Sequence, residues 1–257
     1  PGVCPRVAET TMVLPRDNPA AFDIIRKHAK ELACVIVEPV ASGWPKPNVE
    51  YLKELREVTK KAGVVLIFDE VVSGFRACFG GAQDRWNVVP DISTFGKILG
   101  GGLSLGAVVG KREILEIAAT CGDPAEDVTT KVHTIGTNAG NIVSCAAGFA
   151  QMSYLKENEK TVYPYLKEQG ERLKEEVQKF TADNNIPMRI MGMESAFVCH
   201  FLEDDPEDMR QLEQNTNYVA EKLLSYYMRR YGIHMPDIHS VFISTAHAPE
   251  DIDALIG

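Results

Sequence analysis

Short apolar runs alternate with amphipathic segments along the first two-thirds of the chain. The runs at 33–37, 64–68, 91–95 and 105–109 are brief and mostly apolar, which is typical of strands buried on both faces. Between the first two runs, residues 49–62 carry apolar residues at helical spacing, and Gly63 is a typical helix stop. This alternation predicts a parallel sheet covered by helices.

The pattern changes near residue 157. Residues 141–155 predict a helix rich in small residues, whereas 159–180 and 207–231 predict long amphipathic helices. Residues 188–201 predict a strand pair or one bent strand with its bend at Gly192, 241–245 predict another strand, and 249–251 begin a helix. We therefore expect a large domain over 1–156 and a small α+β domain over 157–257.

Composition restricts the classes of partner. With 257 residues, 45% of them hydrophobic and 25% charged, the chain has the make-up of a globular protein with a large core. A net charge of −9 provides no basic stripe for phosphates, so we expect no nucleic-acid partner. No apolar stretch reaches the about 18 residues that span a bilayer, so we expect no membrane partner.

Cysteine and histidine usage indicates the compartment and argues against a metal. The six cysteines are scattered without a Cys-x-x-Cys pair, and Cys34 in its apolar run is interpreted as a buried thiol. Free thiols and no visible secretory signal predict a cytoplasmic location. The histidines, His133 among them, lack metal-ligand spacing, so we expect no metal. Because the chain lacks an initial Met and stops at Gly257 where a helix begins, we interpret it as a fragment.

Three residues suited to chemistry follow predicted strands. Glu38 follows the first run, Asp69 the second, and Lys97, close to three consecutive glycines, the third. Ligands of parallel sheets collect at the carboxyl ends of the strands, so we expect these residues at one site. A lysine amine that forms an imine with an aldehyde, and a carboxylate that keeps a pyridine nitrogen protonated, are what a pyridoxal phosphate (PLP) enzyme requires.

Each of these residues has a plainer interpretation when it is taken alone. Asp69 could cap a turn or bind a metal, and Lys97 could be a solvated lysine beside a flexible glycine loop. The Asp-Glu pair could end a Walker-B strand, but Gly96-Lys97 lacks the earlier glycine and the following hydroxyl of the phosphate loop. Thr137, just ahead of a predicted helix, could form an anion site or simply cap the helix.

Six segments follow one another in a family order: Val35-Ile-Val-Glu-Pro-Val40, Leu66-Ile-Phe-Asp-Glu-Val-Val-Ser-Gly-Phe-Arg76, Gly80-Gly-Ala-Gln83, Pro90-Asp91, Phe95-Gly-Lys-Ile-Leu-Gly-Gly-Gly102 and Gly136-Thr137. In this order they resemble the class III PLP-dependent aminotransferases, and most of all their glutamate-1-semialdehyde aminomutase branch. The Gly-Phe-Arg and Gly-Gly-Ala-Gln pair and the Phe-Gly-Lys triplet point to that branch. The resemblance implies an α/β fold, PLP-dependent transferase fold type I, with a mostly parallel sheet flanked by helices and a smaller C-terminal α+β domain.

The resemblance implies a role for each matching position. Lys97 would form the internal aldimine with PLP and carry protons, Asp69 would pair with the pyridine nitrogen, and Val71 would pack on the ring. Thr137 is similar to the family threonine that reaches the cofactor phosphate of the neighbouring subunit, which implies a homodimer with shared active sites. Glu38 stands at the family's Glu-Pro position near the site and receives no chemical step.

The chain also departs from the family pattern. Val72 stands where many members have Gln and aminomutases often have Met, the segment 40–47 is shorter than in typical aminomutases, and Ile142 replaces a usual Pro. The family's N-terminal part, which supplies a phosphate cup and a ring-stacking aromatic segment, has no match here.

The resemblance favours one function and leaves others open. It implies an aminotransferase that moves an amino group from a small-molecule amino donor to a keto or aldehyde acceptor. The alternatives are an aminomutase, in which donor and acceptor are one molecule, and a truncated, inactive fragment of such an enzyme. A Rossmann nucleotide binder fits poorly, because no Gly-x-Gly-x-x-Gly follows the first strand.

Overall fold

The computed structural model describes residues 2–43, 46–132, 134, 136–236 and 239–257, so that His133 lies outside it. The strands are β1 (Cys34–Val37), β2 (Val65–Asp69), β3 (Ile92–Phe95), β4 (Ala107–Gly110), β5 (Met188–Met193), β6 (Ala196–Phe201) and β7 (Val241–Phe242). The α-helices are α1 (Pro5–Glu9), α2 (Ala20–His28), α3 (Val49–Ala62), α4 (Gly81–Trp86), α5 (Arg112–Leu115), α6 (Pro124–Thr130), α7 (Ile142–Glu157), α8 (Glu159–Asp183), α9 (Met209–Asn215), α10 (Tyr218–Arg230) and α11 (Pro249–Ile256). Short 3-10 turns cover Lys97–Gly100 and Glu116–Ala118.

The first sheet has the strand order β1-β2-β3-β4. Strands β1, β2 and β3 are parallel, as the alternation predicts, but β4 runs antiparallel to β3. The expectation of a parallel fourth strand was therefore wrong. The connection from β3 to β4 contains only a 3-10 turn and a short loop, and such a connection is too short for the crossover that parallel strands need.

Helix α3 has the bounds that its sequence pattern predicts. The Asn48 side chain accepts a hydrogen bond from the Tyr51 amide at 3.1 Å and so caps the first turn. Gly63 ends the helix in the left-handed conformation, at φ 70°, which a residue with a Cβ adopts at a cost. The buried face, with Leu52 and Leu55, packs in one core with the inner residues of β2.

Helices cover only one face of this sheet in the described residues. Along β1, Val35 is 5% exposed and belongs to the core that α2 and α3 form, whereas Ile36 is 62% exposed. Val108 on β4 is 60% exposed, and Cys34 is an exposed thiol. The expectations of strands buried on both faces and of a buried Cys34 were thus wrong, because alternate residues of a strand point to opposite faces.

The second sheet is antiparallel, with the order β5-β6-β7. The strand pair over 188–201 is confirmed, but its turn lies at Glu194, at φ 50°, and not at Gly192. Gly192 pairs with Phe197 inside the ladder, where a Cβ would come within 2.6 Å of the Ala196 carbonyl oxygen. Close packing, and not a bend, requires glycine there.

Two further boundaries differ from the predictions. The single helix expected over 207–231 is two helices, α9 and α10, because the Asn217 side chain accepts from the Ala220 amide and begins a new helix. The last strand covers only Val241 and Phe242. Within the described residues, no helix combines the length and apolar character that a membrane crossing needs.

Asp91 ties the first sheet together. Its buried carboxylate accepts from the Leu66 amide at 2.8 Å, from Arg56 of α3 at 2.9 Å and from Lys111 beyond β4 at 2.8 Å. Burial alone would raise the pKa, but the hydrogen bonds from Leu66, Lys111 and Arg56 outweigh it and lower the pKa of Asp91 to about 2. One side chain thereby joins a helix to two strands of the sheet.

We expect Asp91→Asn to lower the free energy of unfolding at pH 7 by about 2 kcal/mol, the energy that corresponds to this pKa difference. Because the pKa is lower in the folded state, the contribution is present above the unfolded pKa and is lost as pH falls toward 2. Urea unfolding of both chains between pH 7 and pH 3 checks this. Asp23→Asn, on the exposed face of α2, is the control; an equal loss there, or a gap that does not narrow in acid, would contradict the prediction.

Candidate functional site

The site begins where β2 and β3 end side by side. Asp69, the last residue of β2, pairs in register with Thr94. Its Oδ1 accepts from the Val71 amide at 3.1 Å and from the Thr94 hydroxyl at 3.1 Å. Among the described residues Oδ2 has no hydrogen-bond partner. The carboxylate is therefore fixed through one oxygen and free to accept through the other.

Lys97 follows β3 by two residues and lies at the same edge of the sheet. A Cβ on Gly96 would approach Val71 Cγ1 to 3.4 Å, so the backbone before Lys97 lies against Val71. Lys97 opens a 3-10 turn with φ 47°, an uncommon value for a residue with a side chain. The described residues offer its amine neither a hydrogen bond nor an ion pair. The ends of β2 and β3 thus bring Asp69, Val71 and the backbone of Lys97 to one edge of the sheet.

Of the three glycines after Lys97, Gly101 packs against a helix and Gly100 packs against Leu105. A Cβ on Gly101 would lie 2.9 Å from the Ala147 carbonyl oxygen of α7. Conversely, a Cβ on Gly148 of α7 would lie 2.8 Å from the Leu99 carbonyl oxygen. Small residues on both sides therefore let the two backbones meet. The small-residue helix predicted from the sequence is the support on which the lysine turn rests.

Glu70 organises the loop after β2, a role that the sequence interpretation missed. Its carboxylate is fully buried and accepts from Ser73 Oγ at 2.9 Å and from the Ala82 and Gln83 amides at 2.7 and 3.0 Å. Burial raises its pKa, and these donors offset part of the increase. Gly81 has φ 76°, and a Cβ there would lie 2.6 Å from Glu70 Oε2. The sequence feature that could have predicted this role is the glycine pair Gly80-Gly81 at the start of α4, because the first amides of a helix lack acceptors within the helix.

The segment after Glu70 also reaches the second sheet. The Phe75 ring packs against the Phe95 ring, with the centroids 5.2 Å apart and the planes tilted by 45°. The Arg76 guanidinium lies 4.5 Å from the centre of the Phe242 ring and donates to Ser195 Oγ at 3.3 Å. Burial lowers the pKa of Arg76 to about 10. The Gly-Phe-Arg motif therefore connects the site edge to β7 and to the β5–β6 turn.

Of the two remaining predicted site residues, Glu38 lies at this edge and Thr137 lies on another segment. Val37 pairs with Phe68, so Glu38 follows β1 beside the end of β2, and its Oε2 accepts from the Ser42 amide at 2.7 Å. Thr137 is exposed, in a turn ahead of α7, and makes no hydrogen bond within the described residues. Asn141, and not Thr137, caps α7. The structure thus places Glu38 at the sheet edge and Thr137 on a separate turn.

With this geometry in place, comparison with known proteins identifies the family. Residues 16–240 match the class-III aminotransferase family, and the chain belongs to that family. Glutamate-1-semialdehyde 2,1-aminomutase of Persephonella marina is 36% identical over 258 aligned positions, which cover 98% of this chain and 58% of that protein. The chain therefore spans about 58% of the length of this curated relative.

Solved structures show the same fold. An omega-transaminase from Sphaerobacter thermophilus has a TM-score of 0.86 and 29% identity, with 99% of this chain and 57% of that chain covered. A transaminase with PLP bound has a TM-score of 0.83 and 26% identity, with the same coverage of 99% and 57%. The expected α/β fold of the PLP-dependent transaminases is thereby confirmed.

We expect Gly81→Ala to destabilise the chain by about 2–4 kcal/mol, because alanine is strained at this φ and its methyl group would displace the Glu70 carboxylate. Gly232→Ala is the matched control, since Gly232 has φ 80° and no atom within 4 Å of its Cβ position. Urea unfolding compares the two. A loss no larger at Gly81 than at Gly232 would show that contact with Glu70 is unimportant.

Proposed function

We propose that this chain carries the cofactor-anchoring part of a PLP-dependent aminotransferase. The reaction moves an amino group from a small-molecule amino donor to a keto or aldehyde acceptor. One observation carries the proposal: the free Oδ2 of Asp69 and the unpaired amine of Lys97 lie at adjacent strand ends, with Val71 between them. Membership of the class-III aminotransferases supports it.

The residues present suit the cofactor. A carboxylate with one oxygen held and one free can accept a pyridinium N–H, and an unpaired amine on a short turn can meet an aldehyde. Val71 offers an apolar surface beside the carboxylate for the flat ring. Bound PLP supplies an aldehyde that takes up the amino group and a ring that accepts electrons from the substrate's α carbon.

Each residue has a distinct task in this proposal. Asp69 keeps the proton on the ring nitrogen, because a negative charge beside that nitrogen favours its protonated form. Lys97 anchors the cofactor and, once released, moves the proton at the substrate's α carbon. The Thr94 hydroxyl and the Val71 amide orient the Asp69 carboxylate toward the ring. Glu38 contributes to the site edge without a chemical step.

The aminomutase reaction is the second candidate, favoured by the similarity to the Persephonella marina protein. It uses the same anchoring residues, and donor and acceptor are then one molecule. The third candidate is a fragment that binds without turnover, consistent with a chain that spans about 58% of that relative. The scattered thiols, all unpaired in the structure, support a cytoplasmic location.

The organisation of the chain supports two domains, 1–156 and 157–257, as a proposal. One core lies between α2, α3 and the first sheet, and another lies between α8 and the second sheet. Leu155, near the end of α7, already belongs to the second core. The boundary at residue 156 therefore lies where α7 ends and α8 begins.

The covalent anchor is tested by reduction with borohydride in the presence of PLP, followed by digestion and mass spectrometry. We expect one pyridoxyl label per chain, on the peptide that contains Lys97, because its amine is the one that the site presents to the aldehyde. Lys97→Ala should lose the label, whereas Lys60→Ala, an exposed lysine on α3, should keep it.

Two outcomes would contradict the proposal. One is a full label on the Lys97→Ala chain, and the other is a label spread evenly over many lysines. Asp69→Asn separates the two roles, since it should leave Lys97 reactive while weakening retention of PLP before reduction. If Asp69→Asn retained PLP as well as the parent chain does, Asp69 would have no role in binding the cofactor.

We further propose that the protein is a homodimer whose partner receives Thr137. Helix α7 supports this, because Ile142 and Phe149 are 84% and 77% exposed on a helix that is apolar on most of its surface. Thr137 stands on the turn just ahead of these residues, exposed and without a hydrogen bond to any described residue.

We expect sedimentation equilibrium to give about twice the chain mass of 28.4 kDa. Phe149→Glu should reduce it to one chain mass, because a charge in an apolar interface is costly. Tyr231→Glu is the matched control, since Tyr231 is equally exposed at 77% but lies after α10. A monomeric parent chain, or dissociation by both substitutions alike, would argue against an interface on α7.

A further inference from the structure

The turn of residues 38–43, which leaves the carboxyl end of β1, is held by side chains from its own half of the chain. The Arg16 guanidinium donates to the Glu38 carbonyl at 2.6 Å and to the Pro39 carbonyl at 3.3 Å. The Glu38 carboxylate closes the turn by accepting from the Ser42 amide at 2.7 Å. The position of Glu38 therefore depends on the conformation of this turn.

The far side of the same turn rests on the second sheet. Val40 packs with Met193 of β5, and Ala41 packs in a cluster with Met191. Ser240 Oγ donates to the Ser42 carbonyl. These contacts bring residues more than a hundred positions apart in sequence onto one short turn.

His200 makes the most directed of these contacts. Its Nε2 lies 3.1 Å from the Gly43 carbonyl oxygen, and its Nδ1 lies 2.8 Å from Glu221 Oε1 of α10. Both His200 and Glu221 are 5% exposed. Since both ring nitrogens face oxygen acceptors, each contact needs a proton: Nε2–H donates to Gly43, and a second proton lies between Nδ1 and the carboxylate.

Burying this pair costs more free energy than burying apolar side chains of the same size would. Glu221 Oε2 is buried without a partner in the described part of the chain, and burying ionisable groups carries a desolvation penalty that an apolar pair of similar volume avoids. Arg189, which pairs with His200 across the β5–β6 ladder, is engaged by Asp205 at 3.0 Å and compensates neither group. What the histidine adds over an apolar side chain is the bond to the Gly43 carbonyl.

We propose that His200 and Glu221 form a positioning pair that fixes the 38–43 turn, and with it Glu38, at the edge where β1 and β2 end. Glu221 orients the imidazole through Nδ1, and His200 anchors the turn to the second sheet through Nε2. Any consequence for cofactor chemistry rests on the proposed function, but the anchoring itself does not.

Amide hydrogen exchange of the full chain, read by mass spectrometry without added cofactor, tests this pair. In His200→Gln the side chain has one polar end and cannot reach Glu221 and Gly43 together. We expect the amides of residues 40–43 to exchange about tenfold faster, while β5 and β6 keep their protection. Glu221→Gln should accelerate the same amides by a smaller factor, because His200 still reaches Gly43 but is less well oriented.

Ser225→Ala is the matched control, because Ser225 is a buried residue of α10 that bonds the Met235 carbonyl at 2.7 Å and does not touch the turn. It should leave exchange in 40–43 unchanged. Unaltered exchange of the turn in both pair variants would overturn the proposal, as would equal acceleration across β5, β6 and α10. Because hydrogen exchange is measured without PLP, the two tests can fail independently. A chain that is not labelled at Lys97 could still show faster exchange in the pair variants, and a labelled chain could show none.

Discussion

The parallel register between β2 and β3 is the constraint on which the site depends. It sets Asp69 opposite Thr94, so the carboxylate receives a hydroxyl donor from the neighbouring strand, and it brings the turn with Lys97 to the same edge. A slip of one residue would send Asp69 to the other face of the sheet. Asp91 supports this register, since its carboxylate accepts from the Leu66 amide of β2, from Arg56 of α3 and from Lys111 beyond β4.

Much of this arrangement could be predicted from local patterns. Residues 49–63 specify a helix and its end by their spacing and by Gly63, and the apolar runs locate β1, β2 and β3. That Asp69 and Lys97 share an edge follows from the rule that parallel strands present their carboxyl ends together. These inferences hold because they depend on contacts within a segment or between adjacent strands.

What could not be predicted depends on contacts between distant segments. Gly192 and Gly101 look like bends or flexible links, but their lack of a Cβ serves close approach to Ala196 and to α7. Glu70 looks like half of an Asp-Glu pair, yet two of its donors, the Ala82 and Gln83 amides, lie 12 and 13 residues further on. Val35 and Ile36 look equally apolar, and only the packing of α2 and α3 shows which of them faces the core.

The contact between the lysine turn and α7 joins two parts of the molecule into one mechanical unit. Gly101 and Gly148 leave no space between the backbones, so a displacement of α7 has to carry the turn with it. Side chains of α7 such as Phe149 are exposed, so a contact there would act on the same helix that supports the Lys97 turn.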